Sequence, residues 1–323
     1  MNKTLVVFYV LFISHLLIGQ QSERIAFYNV ENLFDTIDGP NNDEEFLPGG
    51  KKQWNLDKYK EKIIHINKVI CELNTPMIIG LCEIENKGVL DDIIKEVKTL
   101  KNYQTVHHES PDARGIDASL IYDSKKLKVL DHGFIRFVLP EQSAPATRDI
   151  VWAQFKYKKE SFYVMVNHWP SRRGGAEKSE PKRLKAAQNA RRFIDSLLQI
   201  DINTKIVFMG DLNDYPTNAS VQSIMEKLDP KITSTSNRFG GTHCYKGEWN
   251  ILDHICISKG WNNGKLKTSP EKGIILTLDY LLSTYKGSIV PFRTYGGSKY
   301  LGGYSDHLPV FIDLEIHEKT TRP

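Results

Sequence analysis

Carboxylate, amide and imidazole side chains recur where the apolar runs of this chain end. Asn29 and Glu31 close RIAFYNV, Glu83 and Glu85 follow MIIGLC, and His168 closes FYVMVN. Asp211 and Asn213 follow IVFMG, Asp253 and His254 interrupt NILDHICI, and Asp306 and His307 precede LPVFI. Strand ends are where rigid scaffolds present catalytic groups. Oxygen donors of this kind suit hard cations such as Mg²⁺, Mn²⁺ or Ca²⁺. Histidines beside such an ion can serve as acid and base. No GxSxG-type nucleophile motif occurs, and no cysteine pair has the CxxC spacing of a zinc site. The residue types point to metal-assisted hydrolysis without a covalent intermediate.

The elements that must position these groups are legible from periodicity. Arg24–Val30, Met77–Cys82, Ile206–Met209, Ile251–Ile257 and Val310–Leu314 read as core strands. Tyr103–Val106, Ala118–Tyr122, Leu127–Phe137, Ile150–Tyr157 and Phe162–Val166 read as a series joined by short turns. Leu56–Leu73, Lys87–Leu100, Pro181–Leu198 and Val221–Leu228 have helical spacing. The polar stretch Asp35–Trp54 reads as a surface loop. Hairpin series mixed with helical crossovers call for sheets packed face to face with helices outside, not one doubly wound parallel sheet.

FYNVENLF, GLCEIEN, VNHW, GDLND and YSDHLPV, in that order, resemble the motifs of the endonuclease/exonuclease/phosphatase superfamily. The resemblance runs from Asn29 to His307 and implies an α/β fold, a four-layer α/β/β/α sandwich of two mixed sheets. It implies Glu83 as the main metal-binding carboxylate, with Asn29 at the metal or the scissile phosphate and Asp306 near the metal. It implies Asp211 as the group that holds or activates the attacking water, and Asn213 as a donor to a phosphate oxygen. His307 would be the general base or the proton donor, oriented by Asp253. His168 matches a second histidine found in the deoxyribonuclease-like and phosphatase-like branches.

Other residues are read from their surroundings. Asp117, at the start of its strand, is placed to orient His168. Arg172 and Arg173 of SRRGG could grip phosphate oxygens, with Arg114 and Arg148 as further candidates. The alternative for each arginine is solvated surface charge. The same applies to Lys182, Arg183, Lys185, Arg191 and Arg192. Glu31 and Glu85 have weaker claims to the roles of Asn29 and Glu83, with a solvated loop carboxylate as the alternative; His254 reads as structural or as a support to the site, and Asp214 as part of a turn. Trp169 either stacks on a base or packs beneath the site.

The expected activity is a Mg²⁺-dependent phosphodiesterase, a non-specific endonuclease acting on nucleic acid, DNA before RNA. The alternative substrate is a phospholipid or inositol phosphate. That alternative wants an exposed apolar loop, for which only Phe46, Leu47 and Trp54 offer themselves. A non-catalytic binding protein on the same scaffold would be expected to have lost some of the motif residues. The net charge of +4 supplies no strong field for a polyanion, so contacts must come from local clusters.

Of the 323 residues, 40% are hydrophobic and 25% charged, as in ordinary globular proteins. Residues 1–19 carry Lys3, an apolar run and Gly19, the pattern of a secretory signal peptide, with 20–323 as one catalytic domain. The run is shorter than the roughly 20 residues a spanning helix needs. Secretion or periplasmic release is therefore expected, with no stable protein partner in view. Export permits disulfides among Cys71, Cys82, Cys244 and Cys256, although Cys82 and Cys256 sit in apolar runs that favour free thiols.

Overall fold

A computed structural model describes residues 22–137, 147–269 and 272–316. The expected signal segment lies outside the described residues. The chain opens with β1 (Ser22–Leu33), α1 (Leu56–Glu72), β2 (Ile78–Ile84) and α2 (Lys87–Glu96). An antiparallel series follows: β3 (Tyr103–His107), β4 (Asp117–Asp123), β5 (Leu127–Ile135), β6 (Ile150–Tyr157) and β7 (Glu160–His168). Next come α3 (Ala176–Ile200), β8 (Ile206–Asp211), α4 (Ala219–Met225) and the short β9 (Asp229–Pro230). The remainder is β10 (His243–Tyr245), β11 (Glu248–Asn250), β12 (Asp253–Ile257), β13 (Leu266–Thr268) and β14 (Ile274–Ile275). It ends with β15 (Leu282–Tyr285), β16 (Ser288–Pro291), β17 (Tyr295–Gly296), β18 (Lys299–Tyr300) and β19 (Val310–Ile316).

Two mixed sheets result. One has the order β13-β19-β1-β2-β4-β3, with β14 also on β19; the other runs β5-β6-β7-β8-β12-β9. Each sheet holds one parallel pair near its centre, β1 with β2 and β7 with β8. Parallel neighbours need a crossover, and α1 and α3 supply it. β19 runs antiparallel to β1, and β12 antiparallel to β8. The C-terminal ends of β1, β2, β7 and β8 therefore lie at the same rims as the N-terminal ends of β12 and β19. The motif residues named above sit at one of those six ends or within four residues of it.

Side-chain alternation builds the layers. Val164, Val166, Val207 and Met209 face inward and join Phe27, Ile79 and Leu81 of the first sheet in one core. Met165, Ile206 and Phe208 face outward onto Ala186, Ala190 and Ile194 of α3 and Val221 and Ile224 of α4. On the other side Ile63, Ile66 and Ile70 of α1 and Leu90 and Ile93 of α2 cover the first sheet. The sheets touch closely at Gly80, where a Cβ would stand 2.6 Å from Met209 Cε. Asn55 and Asn86 cap α1 and α2, accepting the backbone N–H groups of Lys58 and Val89 at 3.1 Å.

Helix α3 begins five residues before the expected start, so Pro181 lies inside it. Side chains reinforce the first turn of the helix ahead of the proline. Ser179 Oγ donates to Gly175 O at 2.7 Å, and Arg183 donates to Ser179 Oγ and Ala176 O. The four cysteines are free. Among the described residues no helix is long and apolar enough to cross a membrane.

Candidate active site

The backbone is bent on purpose at two of the strand ends. The β2 register shifts between Cys82 and Ile84, and Glu83, the extra residue, has φ +62°. The register of β1 against β2 shifts between Asn29 and Leu33, where Glu31 and Asn32 have φ +55° and +52°. Bulges re-aim side chains at functional rims, and non-glycine residues in this region of φ are strained. The bulge turns Glu83 into the gap between the sheets. Its Oε2 accepts the Asn32 N–H at 2.9 Å, while its Oε1 faces Arg114 at 3.7 Å and His168 at 3.9 Å.

Asp211 Oδ2 is the meeting point. Asn29 Nδ2 donates to it at 3.1 Å across the two sheets. His168 Nε2 is 3.7 Å away and His307 Nε2 3.8 Å away. The other oxygen, Oδ1, accepts the N–H of Asn213 at 2.9 Å. Asn213 has φ +50°, a conformation asparagine tolerates, and its amide donates to Trp169 O at 3.1 Å. His307 Nδ1 donates to Asp253 Oδ2 at 2.7 Å. Ser305, of the same YSDH motif, donates to Asn29 O and accepts the His307 N–H, tying β1 to the β19 end.

Charge is unevenly balanced here. Burial pushes the Asp211 carboxyl up to about 7 against the pull of His307. Burial opposes a charged His307, yet Asp253 and Asp211 hold its imidazole well above the ordinary range. Burial, with Arg148 and Arg114 nearby, keeps His168 well below it. Asp211, Asp253 and His307 bring ligand atoms within 4.8 Å of one another. The buried Asp253 Oδ1 has no hydrogen-bond partner. Glu83 Oε1 faces the same gap through His168, and the carboxylate oxygens gathered there, with the unsatisfied Asp253 Oδ1, fit a hard divalent cation.

Residues 24–316 match the Endonuclease/Exonuclease/phosphatase family. The chain belongs to that family. Its chemistry is therefore that of a hydrolase acting on phosphoester bonds. Over 177 residues it is 25% identical to Protein angel of Drosophila melanogaster, a stretch covering 50% of this chain and 48% of that protein. The chain thus spans about half the length of this curated relative. Among solved structures it resembles the human Nocturnin catalytic domain, with a TM-score of 0.58 and 16% identity, covering 91% and 94% of the two chains. A mannosyl-6-phosphatase from Bacteroides thetaiotaomicron gives 0.59 and 16%, covering 90% and 99%. D. rerio TDP2 complexed with a single-strand DNA product gives 0.59 and 14%, covering 91% and 99%. At such identities these structures share the family fold of two packed sheets, which is the fold found here.

The structure brings Asn29, Glu83, His168, Asp211, Asn213, Asp253 and His307 together. It separates others. Asp117 does not orient His168: it takes the hydroxyl and N–H of Ser110, and His168 Nδ1 has no partner. The chain at Ser110 folds back over the start of β4 and takes the carboxylate first. Asp306 is not among these: it pairs with Arg293 but stays beside His307, and with His243 and His307 it forms a second group that could hold a metal ion. Arg172 lies against Asp214 and over the Tyr215 ring, whereas Arg173 is exposed. Arg148 is buried, holding Asp112 and Trp169 O, and so supports the site rather than facing solvent.

Glu31 and Glu85 are buried, not solvated. Glu31 accepts from Thr294 N, and burial with Asp306 beside it pushes its carboxyl up to about 7. Glu85 accepts from Asp35 N. Arg183 is buried too, 2.7 Å from Asp214, which makes Asp214 more than a turn residue. His254 is structural, donating to Asp214 O at 3.0 Å. Trp169 packs beneath the site in the α3 core. Sequence reasoning missed His243, whose ring lies 4.8 Å from that of His307. It also missed Lys62, buried in α1 and bonded to Thr294 and Tyr304. Neither lies at a recognisable strand end; a lysine inside the apolar stripe of α1 was the one available signal.

Proposed function

We propose that the protein is an exported, Mg²⁺-dependent phosphodiesterase that cleaves nucleic acid, DNA before RNA. The observation that carries this is the meeting of Asn29, His168 and His307 at Asp211, beside the bulge-aimed Glu83. Glu83 would hold the ion, with Asn29 beside it. A bound divalent ion would neutralise the phosphate and the departing oxygen.

Asp211 positions the water and takes its proton, since it has the least stabilised carboxylate at the centre. His307, kept protonated by two carboxylates, offsets the charge that grows on the phosphoryl oxygens. Asp253 fixes the ring so that Nε2 faces the reaction. His168, neutral and buried, and Asn213 support the five-coordinate state from the second sheet. Arg114 and Arg172 stand at the rim as phosphate contacts. Catalysis then rests on positioning and electrostatics.

A pocket of about 200 Å³ beside the site, lined by the cations Lys52 and Arg293, the carboxylates Glu31 and Asp306, and Asn32, Phe46, Tyr295 and Gly297, leaves room for a second reading. It would suit a compact phosphorylated head group, such as an inositol phosphate. A lipid surface has less support, because Trp54 is buried and Phe46 stacks on Phe34 instead of facing solvent. Supercoiled plasmid, RNA, sphingomyelin and inositol phosphates assayed side by side decide the substrate. We expect plasmid nicking that a chelator abolishes and that Glu83→Gln or His307→Ala lowers by about 10²–10³-fold. Full activity in Glu83→Gln would contradict the mechanism; turnover of inositol phosphate alone would replace the substrate.

A further inference from the structure

Two hairpins beside the catalytic rim end in the same tripeptide. Tyr245, Lys246 and Gly247 turn β10 into β11, and Tyr285, Lys286 and Gly287 turn β15 into β16. In both, the central lysine and glycine have positive φ, +54° and +88° in the first, +48° and +80° in the second. That is the type I′ turn, whose favoured pairs are Asn-Gly and Gly-Gly. Lysine is strained there, but Lys158 takes the same conformation in the β6–β7 turn beside the buried Tyr157, so what sets these two tips apart is the exposure of their tyrosines.

The tips are also chemically alike. Both tyrosines are 62% exposed, unusual for large aromatic side chains on this molecule. Each lysine ammonium lies over its own tyrosine ring, 5.3 Å and 5.5 Å from the centroid. The tips lie side by side, for a Cβ on Gly247 would be 3.1 Å from Ser288 Oγ. They also point back to the reaction. β10 starts at His243, which bridges to His307 with the rings 4.8 Å apart. Tyr245 is two residues along, on the same strand face as His243 and about 7 Å farther out.

Exposed rings edged by ammonium groups are what a single nucleic-acid strand binds: bases stack on the rings, and phosphates meet the cations. We propose that Tyr245 with Lys246 and Tyr285 with Lys286 form a stacking platform that holds a single strand on one side of the scissile phosphate. The platform rests on the nucleic-acid reading above and gives that reading a strand preference and a direction.

The test compares the full chain with Tyr245→Ser, Tyr285→Ser and the double variant. Substrates are a 12-nucleotide single strand and bis(p-nitrophenyl) phosphate, a diester too small to reach the tips. Stacking of the usual strength predicts a KM for the oligonucleotide raised about tenfold per tyrosine. It predicts unchanged kcat, and small-diester hydrolysis at the wild-type rate. Phenylalanine at either position should restore KM. Lys246→Asn with Lys286→Asn suits the turn better and keeps the fold. It should make the salt dependence of log KM shallower by about 1.4, from ~0.7 per phosphate contact. An unchanged oligonucleotide KM in the double tyrosine variant overturns the platform and leaves the nuclease reading standing. A wild-type protein that cleaves the small diester but no oligonucleotide overturns both. Loss of binding to anionic vesicles, with oligonucleotide KM unchanged, would assign the tips to a lipid surface instead.

Discussion

His307 is held between two carboxylates, 2.7 Å from Asp253 and 3.8 Å from Asp211. Burial works against the charge, but both carboxylates raise its pKa, so its protonated form persists to higher pH than that of an ordinary imidazole and is lost only as pH rises through that raised value. Asp211, pushed up to about 7, must instead lose its proton. kcat/KM should therefore fall on both sides of an optimum at saturating Mg²⁺. Removing the Asp253 charge lowers the His307 pKa, so Asp253→Asn should move the alkaline limb to lower pH and cut the maximum by about 10²-fold or more. A pH–rate profile with that limb unmoved would take the proton-donor role away from His307. The motif residues were legible because catalytic carboxylates and imidazoles interrupt apolar runs. Asp117 was misread because its partner, Ser110, comes from a loop whose path no local pattern encodes. Glu31 and Glu85 were misread because a bulge, invisible in sequence, turns them inward.

At the scale of elements, α3 shows what periodicity hides. Its basic stripe reads as a solvated face, and Lys182 and Lys185 are consistent with that; Arg183 instead reaches Asp214 beneath the helix. The pair anchors the start of α3 to the turn after β8, the turn that presents Asn213. Ser220 also donates to Asp214, at 2.6 Å. Arg183→Ala would leave the buried Asp214 carboxylate with only Arg172, 3.5 Å away and partly exposed, costing up to about 3–5 kcal/mol. Thermal unfolding measures it directly, and a Tm within a degree of wild type would mean that Asp214 finds another partner. Strand boundaries were read to within a few residues because the core strands are long and β-branched. The hairpins β10–β11, β15–β16 and β17–β18 were not read, since strands of two to four residues are too short to carry a period.

For the whole molecule, neither sheet has a site of its own. Asn29 and Glu83 come from one sheet, and His168, Asp211 and Asp253 from the other. His307 arrives on the loop into β19. Hairpin series mixed with helical crossovers were enough to anticipate two sheets packed face to face, and the ordered motifs carried the family resemblance. Which ends meet is a property of the parallel pairs β1/β2 and β7/β8 and their helical crossovers. That convergence makes one cation between the sheets the centre of the account. Diffraction from a crystal soaked in Mn²⁺, recorded at the manganese absorption edge, locates such an ion without reference to activity. One strong anomalous peak is expected within coordination distance of the Glu83 carboxylate, absent in Glu83→Gln. Manganese bound elsewhere, with the space between Glu83 and Asp211 empty, would contradict it.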